Sequence, residues 1–160
     1  MRFIIPLAMM MMLTSCAHGS AEPESLPDSY KMSIKYTDRG REYKADMKKS
    51  NDGWEICYTA PETIKGLKIN SSAEGYSAEL EKLKFTGQSG EIPKSSPPLL
   101  IAKAFDMCAA GKGTDAAKDG DKVINKGVVE GADFEVTFED SEPVKIEIGG
   151  EIAGVVEKFS

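Results

Sequence analysis

Apolar and polar residues alternate with a period of two along most of the chain after Tyr30. Such alternation over four to eight residues predicts a strand with one buried face. Turn signals separate the first three stretches, at Asp38-Arg39-Gly40 and at the hairpin motif Asn51-Asp52-Gly53. The pattern therefore predicts a three-stranded antiparallel meander, with apolar residues on one face and polar residues on the other.

More strands are predicted on either side of a helix. Alternation is weaker but continues after Pro61, and it resumes after residue 121. The segment 111–121 is rich in Gly, Lys and Asp, which predicts a loop that also admits a short helix near residues 112–118. The additional strands are expected at 67–69, 76–80, 83–85, 123–130, 133–139, 144–148 and 153–159.

One helix is predicted after the Pro- and Ser-rich loop at 87–98. Ser96 is a suitable N-cap residue, and two prolines follow it in the first turn. Apolar residues then recur at helical spacing from Leu99 to Ala110, and Gly111 ends the run. The chain as a whole therefore predicts an α+β fold, a long antiparallel sheet interrupted once by a helix near residues 97–110.

The N-terminus carries an export signal. Met1-Arg2 precedes the apolar run from Phe3 to Leu13, which is too short to span a bilayer and long enough for a signal peptide. Leu13-Thr14-Ser15-Cys16 then looks like a lipobox, in which the cysteine is lipidated and becomes the new N-terminus. The alternative is an ordinary secretory signal with an incidental cysteine.

The lipobox divides the chain into three parts. Residues 1–15 are the predicted signal peptide, residues 16–28 the lipidated cysteine with a flexible polar tether, and residues 29–160 one folded domain. Two acyl chains on Cys16 suffice for stable anchoring. We therefore expect the domain on the extracytoplasmic side of the cell membrane or outer membrane, held there by lipid.

Charge and histidine content exclude several classes of function. The full chain has a formal net charge of −6, and loss of Arg2 with the signal peptide makes it −7. Such a surface argues against nucleic-acid binding. The one histidine, His18, lies in the tether, so the domain lacks the commonest general base and most zinc sites. No metal site, cofactor or enzymatic activity is predicted.

Two further cysteines, Cys57 and Cys108, admit two interpretations. An even pair in an exported protein permits a disulfide. Equally, both residues suit buried apolar positions as free thiols.

Aromatic and apolar residues of the alternating strand face and of the predicted helix form the candidate site. They would either line a pocket for an apolar ligand or fill the core beneath the helix. The candidates are Tyr36, Trp54, Tyr58, Tyr76, Leu100 and Phe105.

The segment from Gly53 to Leu67, with its Trp strand, Pro61 and Gly66-Leu67, resembles lipoprotein-carrier-like proteins. The order of tether, hairpin, strands, Pro-rich loop, helix and closing strands is similar to the lipoprotein localisation factor superfamily, which comprises a soluble carrier and its anchored receptor. It is also similar to small anchored lipoproteins of Gram-positive anaerobes. This resemblance implies a curved half-barrel whose concave side holds acyl chains in the carriers and side chains in other members.

Two functions follow as hypotheses. In the first, the anchored domain binds an apolar ligand, an acyl chain or a lipoprotein in the half-barrel. In the second, the core is filled, and the protein positions or stabilises another envelope protein without catalysis. The space beneath the helix distinguishes them, because lipid binding needs an open apolar cavity.

Overall fold

The computed structural model describes residues 21–88 and 96–160. The predicted signal peptide, Cys16 and the first part of the tether lie outside these residues, as does most of the predicted loop at 87–98. The described residues form one helix, α1, at Pro97–Ala110, and a 3-10 turn at Glu62–Ile64. Their strands are β1 Tyr30–Asp38, β2 Arg41–Ser50, β3 Gly53–Ala60, β4 Lys68–Ser71, β5 Gly75–Leu80, β6 Leu83–Gln88, β7 Thr114–Asp119, β8 Lys122–Val129, β9 Ala132–Glu139, β10 Glu142–Ile148 and β11 Ile152–Phe159.

All eleven strands belong to one antiparallel sheet that is curved and open. Their order is β6-β5-β4-β3-β2-β1-β11-β10-β9-β8-β7. Two meanders therefore meet where the first strand pairs with the last, and the edge strands β6 and β7 flank α1 in the sequence. The short hairpin connections follow directly from the turn residues, since Gly40 and Gly53 both adopt the positive φ that those turns require.

Strand register brings the alternating apolar residues of neighbouring strands into rows on one face of the sheet, here called the inner face. Ile34 lies opposite Ala45, and Ala45 lies opposite Tyr58. A longer row crosses half the sheet, and its members are Met32, Met47, Ile56, Ile69, Ala78 and Phe85. The period-two pattern thus produces one continuous apolar surface.

Helix α1 packs on the inner face over β8, β9 and β10. Ser96 is its N-cap and Gly111 its left-handed C-cap with a φ of 59°, as predicted. Its buried residues recur at helical spacing and are Pro98, Leu99, Ile101, Ala102, Ala104, Phe105 and Cys108. Together with the strand residues they form one hydrophobic core.

The sequence-based prediction of a curved antiparallel sheet with one helix is confirmed. Its assignment to an α+β class is wrong, because one helix accompanies eleven strands and the fold is mostly β. The loop or short helix predicted within 111–121 is also wrong, since Thr114–Asp119 is the edge strand β7. That strand has little apolar alternation of its own and is defined by its pairing with β8.

Candidate functional site

Most of the predicted aromatic candidates lie in the core. Tyr36, Trp54 and Tyr58 are buried on the inner face, and Phe105 of α1 has no exposed surface. Leu100 is partly buried on α1 and packs against this core. Tyr76 on β5 is half-buried and is not part of this core, so the structure brings together only part of the predicted set.

Three tyrosines form a cluster at the centre of the inner face. The hydroxyl groups of Tyr36 and Tyr58 share a hydrogen bond of 2.7 Å. The ring of Tyr43 stacks on Tyr36 at 5.2 Å and meets Tyr58 edge-on at 6.2 Å. Burial raises the pKa of both Tyr36 and Tyr58 above the ordinary value. These hydroxyl groups are therefore neutral and satisfied by each other.

Trp54 links the sheet to the helix. Its indole Nε1 donates to both carboxylate oxygens of Asp106 at 3.0 Å. Lys49 pairs with the same carboxylate at 2.7 Å and lies 5.4 Å from the centre of the indole ring. Tyr30 packs edge-on against Trp54 at 5.6 Å. The contacts of Trp54 thus hold α1 against β3, which is a structural role.

The thiols of Cys57 and Cys108 are both free in the structure. Cys57 lies between the inward-facing residues Ile56 and Tyr58 of β3, so its side chain points to the outer face and is half-buried. Cys108 is buried on α1, on the opposite side of the sheet. Burial raises the pKa of Cys108 to about 11, and a hydrogen bond with Asn125 opposes that rise.

Asn125 is a buried polar residue at an inward position of β8, with no exposed surface. Its amide side chain makes two hydrogen bonds to the backbone of Glu24, accepting from the N–H at 3.1 Å and donating to the C=O at 2.8 Å. Nearby, Leu26 is buried in the core. The N–H of Ala21 donates to the C=O of Ala116 in the edge strand β7 at 3.4 Å.

These contacts, here called the tether clasp, attach residues 21–26 to the domain. Residues 21–29 contain no helix or strand, yet Leu26 is only 6% exposed. Sequence analysis missed this contact. The available signal was Asn125 itself, a polar residue at a position that the alternation of β8 assigns to the core.

At the opposite end of the sheet, large apolar side chains are exposed in the described structure. Leu83 and Phe85 of β6 are 63% and 64% exposed, although the register places Phe85 in the same row as buried Ile69. Among the described strands, none pairs with the outer side of β6. This region, here called the β6 edge, therefore presents the apolar side chains of Leu83 and Phe85 on a strand at the edge of the described sheet.

A groove of about 420 Å³ lies near the end of the sheet where β3, β4 and β5 meet. Trp54 and Tyr76 contribute apolar surface, and polar residues such as Asn70, Ser72 and Glu74 complete the lining. Such a mixed lining differs from the mostly apolar walls of a lipid pocket.

The described parts of the chain contain no group of three or more His, Cys, Asp or Glu residues that could hold a metal ion. Within residues 21–88 and 96–160, no helix combines the length and apolar character needed to cross a bilayer.

Comparison with known proteins supports the fold. No family model matches the chain, and no curated protein matches its sequence. A crystal structure of an uncharacterized conserved protein from Thermus thermophilus has a TM-score of 0.51 at 10% identity. The match covers 84% of this chain and 79% of that protein, and at this identity it shows a shared fold alone.

A second structure, PNGF-II, matches with a TM-score of 0.41 at 11% identity. The alignment covers 84% of this chain and 28% of PNGF-II, so this chain spans under a third of that protein. The similarity is too low to support a functional argument.

Proposed function

We propose that the protein is a lipid-anchored envelope lipoprotein that acts by contacting another envelope protein, without catalysis and without carrying a lipid. The observation that supports this function is the filled inner face. Phe105 of α1 and Tyr36 and Trp54 of the sheet belong to one hydrophobic core and are at most 5% exposed. Of the two hypotheses from the sequence, this packing supports the second, in which the core is filled and the protein acts on another envelope protein.

The curved sheet around α1 corresponds, in this proposal, to the half-barrel that the resemblance implies. A bound acyl chain would have to displace core side chains, and each displaced side chain would expose apolar surface at a cost of about 25 cal/mol per Å². Trp54 would also lose its hydrogen bond to Asp106. The energetic cost favours protein contact over lipid carriage.

The β6 edge is the proposed contact surface, and its partner is an extended strand of another envelope protein. An edge strand can bind another strand by adding it to the sheet. Leu83 and Phe85 would supply apolar contacts on one face of the added strand. The other edge is less accessible, because Ala21 hydrogen-bonds to β7.

The anchor is tested by replacing Cys16 with Ala. Cells that express the full chain should incorporate labelled fatty acid into the wild-type protein and should release the Cys16→Ala protein from the membrane fraction. Cys57→Ser is the matched control and should stay anchored. An unlabelled wild-type protein, or a variant that remains in the membrane, would contradict the anchor.

The contact surface is tested by a photo-crosslinking residue at position 84, with position 118 in β7 as the control site. A crosslinked partner is expected at position 84, and Phe85→Asp should abolish it. Val155→Asp is a matched control, because Val155 is also an exposed apolar residue, at 54%. A crosslinked dimer of the chain itself, or a crosslink insensitive to Phe85→Asp, would refute partner binding at this edge.

Lipid carriage is tested by mass spectrometry of molecules that co-purify with the protein. The filled core predicts no stoichiometric lipid apart from the acyl chains on Cys16. A stoichiometric lipid that Phe105→Trp displaces would favour the apolar-ligand hypothesis instead.

A further inference from the structure

We infer that the tether clasp orients the anchored domain, holding the β7 end of the sheet close to the bilayer and directing the β6 edge away from it. This inference rests on the proposed lipid on Cys16. It concerns the orientation of the domain relative to the membrane, which the anchor alone does not determine.

The clasp has the properties of a specific contact. The side chain of Asn125 satisfies both backbone groups of Glu24, which is the pairing that a neighbouring strand would make. Asn125 is fully buried and also hydrogen-bonds to Cys108 of α1. Tether, sheet and helix therefore meet at one residue.

Burial of Leu26 adds an apolar attachment beside these hydrogen bonds. Leu26 joins the same core cluster as the helix and strand residues. An unpaired buried amide at position 125 would be costly, so the folded domain retains the tether as its partner. Residues 21–26 consequently belong to the folded unit.

Docking of residues 21–26 limits how far the domain can lie from Cys16. Five residue steps separate Cys16 from Ala21, and they reach at most about 18 Å. If the tether were released up to Tyr30, fourteen steps would reach about 50 Å. The clasp thus reduces the range over which the domain can move and turn.

The position of the clasp decides which end faces the membrane. Ala21 hydrogen-bonds to β7, which is one edge of the sheet. The other edge, β6, lies ten strand positions away, or about 48 Å measured along the curved sheet. A short tether at β7 therefore leaves Leu83 and Phe85 accessible to a partner.

The clasp itself is tested by proteolysis and hydrogen exchange on protein purified from cells that express the full chain. A Glu-specific protease should cut after Glu22 or Glu24 about tenfold faster in Asn125→Ala than in wild type. Asn70→Ala is the matched control, since Asn70 is an exposed asparagine of β4, and it should match wild type.

Hydrogen exchange of the wild-type protein keeps the test valid if Asn125→Ala fails to fold. The Glu24 amide should exchange at least about tenfold more slowly than an unstructured peptide. Exchange at the peptide rate, or equal cleavage of wild type and folded Asn125→Ala, would overturn the clasp whether or not the protein is lipidated.

Orientation is tested with the lipidated protein in vesicles of phosphatidylethanolamine and phosphatidylglycerol that contain a lipid-attached energy acceptor. Donor dyes at Lys118→Cys and Lys84→Cys, each in a Cys57→Ser background, report on β7 and β6. Transfer should be greater from position 118, and Asn125→Ala should reduce the difference.

The outcomes separate the two proposals. Equal transfer from both positions in vesicle-bound protein would refute the orientation. Failure of the protein to bind vesicles would refute the anchor, and with it the orientation, while proteolysis would still report on the clasp.

Discussion

The two ends of the sheet differ in how their inner faces are covered. At the β7–β8 end, α1 and residues 21–26 cover the sheet, and Asn125 is completely buried. At the β5–β6 end, none of the described strand residues is fully buried, and Phe85 is 64% exposed. The same alternation of apolar residues therefore produces core at one end and accessible surface at the other.

This difference shows that strand pattern alone does not define a core. Phe85 shares a row with Ile69 and Met47, both of which are buried. Its exposure results from the absence of covering atoms in the described structure rather than from its own residue type. An exposed apolar residue on an edge strand is costly to keep, because it favours unwanted pairing. The partner strand that we propose for this edge would cover Phe85.

The largest expected loss of stability comes from truncating Phe105 in the core, with truncation of Phe85 on the β6 edge as the matched comparison. Phe105→Ala should lower the free energy of unfolding by about 3–5 kcal/mol, because it leaves a cavity in the packed core. Phe85→Ala should lower it by less than about 0.5 kcal/mol. Urea unfolding of both variants checks this. Similar losses would mean that the β6 edge is as well covered as the helix interface.

The second-largest effect is expected at alkaline pH, which should destabilise the buried core. Burial raises the pKa of Cys108 to about 11, from an ordinary 9.0, and raises those of Tyr30, Tyr36 and Tyr58 above an ordinary 10.0. Above these ordinary values the unfolded state binds fewer protons than the folded state. The stabilisation that these protonated groups contribute is therefore complete below about pH 9. It is lost as the pH rises towards the pKa values of the folded state, by about 1.4 kcal/mol per pH unit for each group that has begun to ionise in the unfolded state.

Urea titrations between about pH 8 and pH 11 measure this loss. Ultraviolet absorbance should show ionisation of these tyrosines only as the protein unfolds. A stability that is constant through pH 11, or tyrosinate absorbance from all of them in the folded state, would show that the covered region admits water.

Loss of the clasp should have an intermediate effect. Asn125→Ala removes the partner of both backbone groups of Glu24, which should reduce stability by about 1–3 kcal/mol. Asn70→Ala should change it by no more than about 0.5 kcal/mol, since Asn70 is exposed. Thermal unfolding provides the measurement. An Asn70→Ala variant as unstable as Asn125→Ala would remove the distinction between the two ends.

The smallest effect is expected from surface lysines. Lys103 of α1 donates to Glu130 in the turn that follows β8. Because the Lys103 side chain is 44% exposed, Lys103→Ala should cost at most about 1 kcal/mol. Lys84→Ala on β6 should lie within about 0.5 kcal/mol of wild type. A larger loss at Lys84 would indicate that β6 contributes more to stability than its exposure suggests.

Much of the fold could be predicted from local sequence. The Asn51-Asp52-Gly53 motif predicts the β2–β3 hairpin, and Ser96 and Gly111 predict the limits of α1. These signals depend on backbone preferences of a few adjacent residues. Strand β7 could not be found in this way, because Thr114–Asp119 is organised by pairing with β8.

The candidate site was less predictable. Tyr36, Trp54, Tyr58 and Phe105 were expected on one apolar face, but whether they lined a cavity or filled it depended on the packing of α1. The contact between Glu24 and Asn125 joins residues that are 101 positions apart in the chain. No local pattern encodes such a pairing.

The sequence by itself determined the alternation of inward and outward residues, the limits of the helix and the expectation of a lipid anchor at Cys16. Only the tertiary structure decided which inward residues are covered, that residues 21–26 dock at Asn125, and that Leu83 and Phe85 are exposed in the described structure. The physical reason is the distance along the chain over which each effect acts. Backbone preference acts between neighbours in the chain, whereas burial depends on which distant segments occupy the space above each side chain.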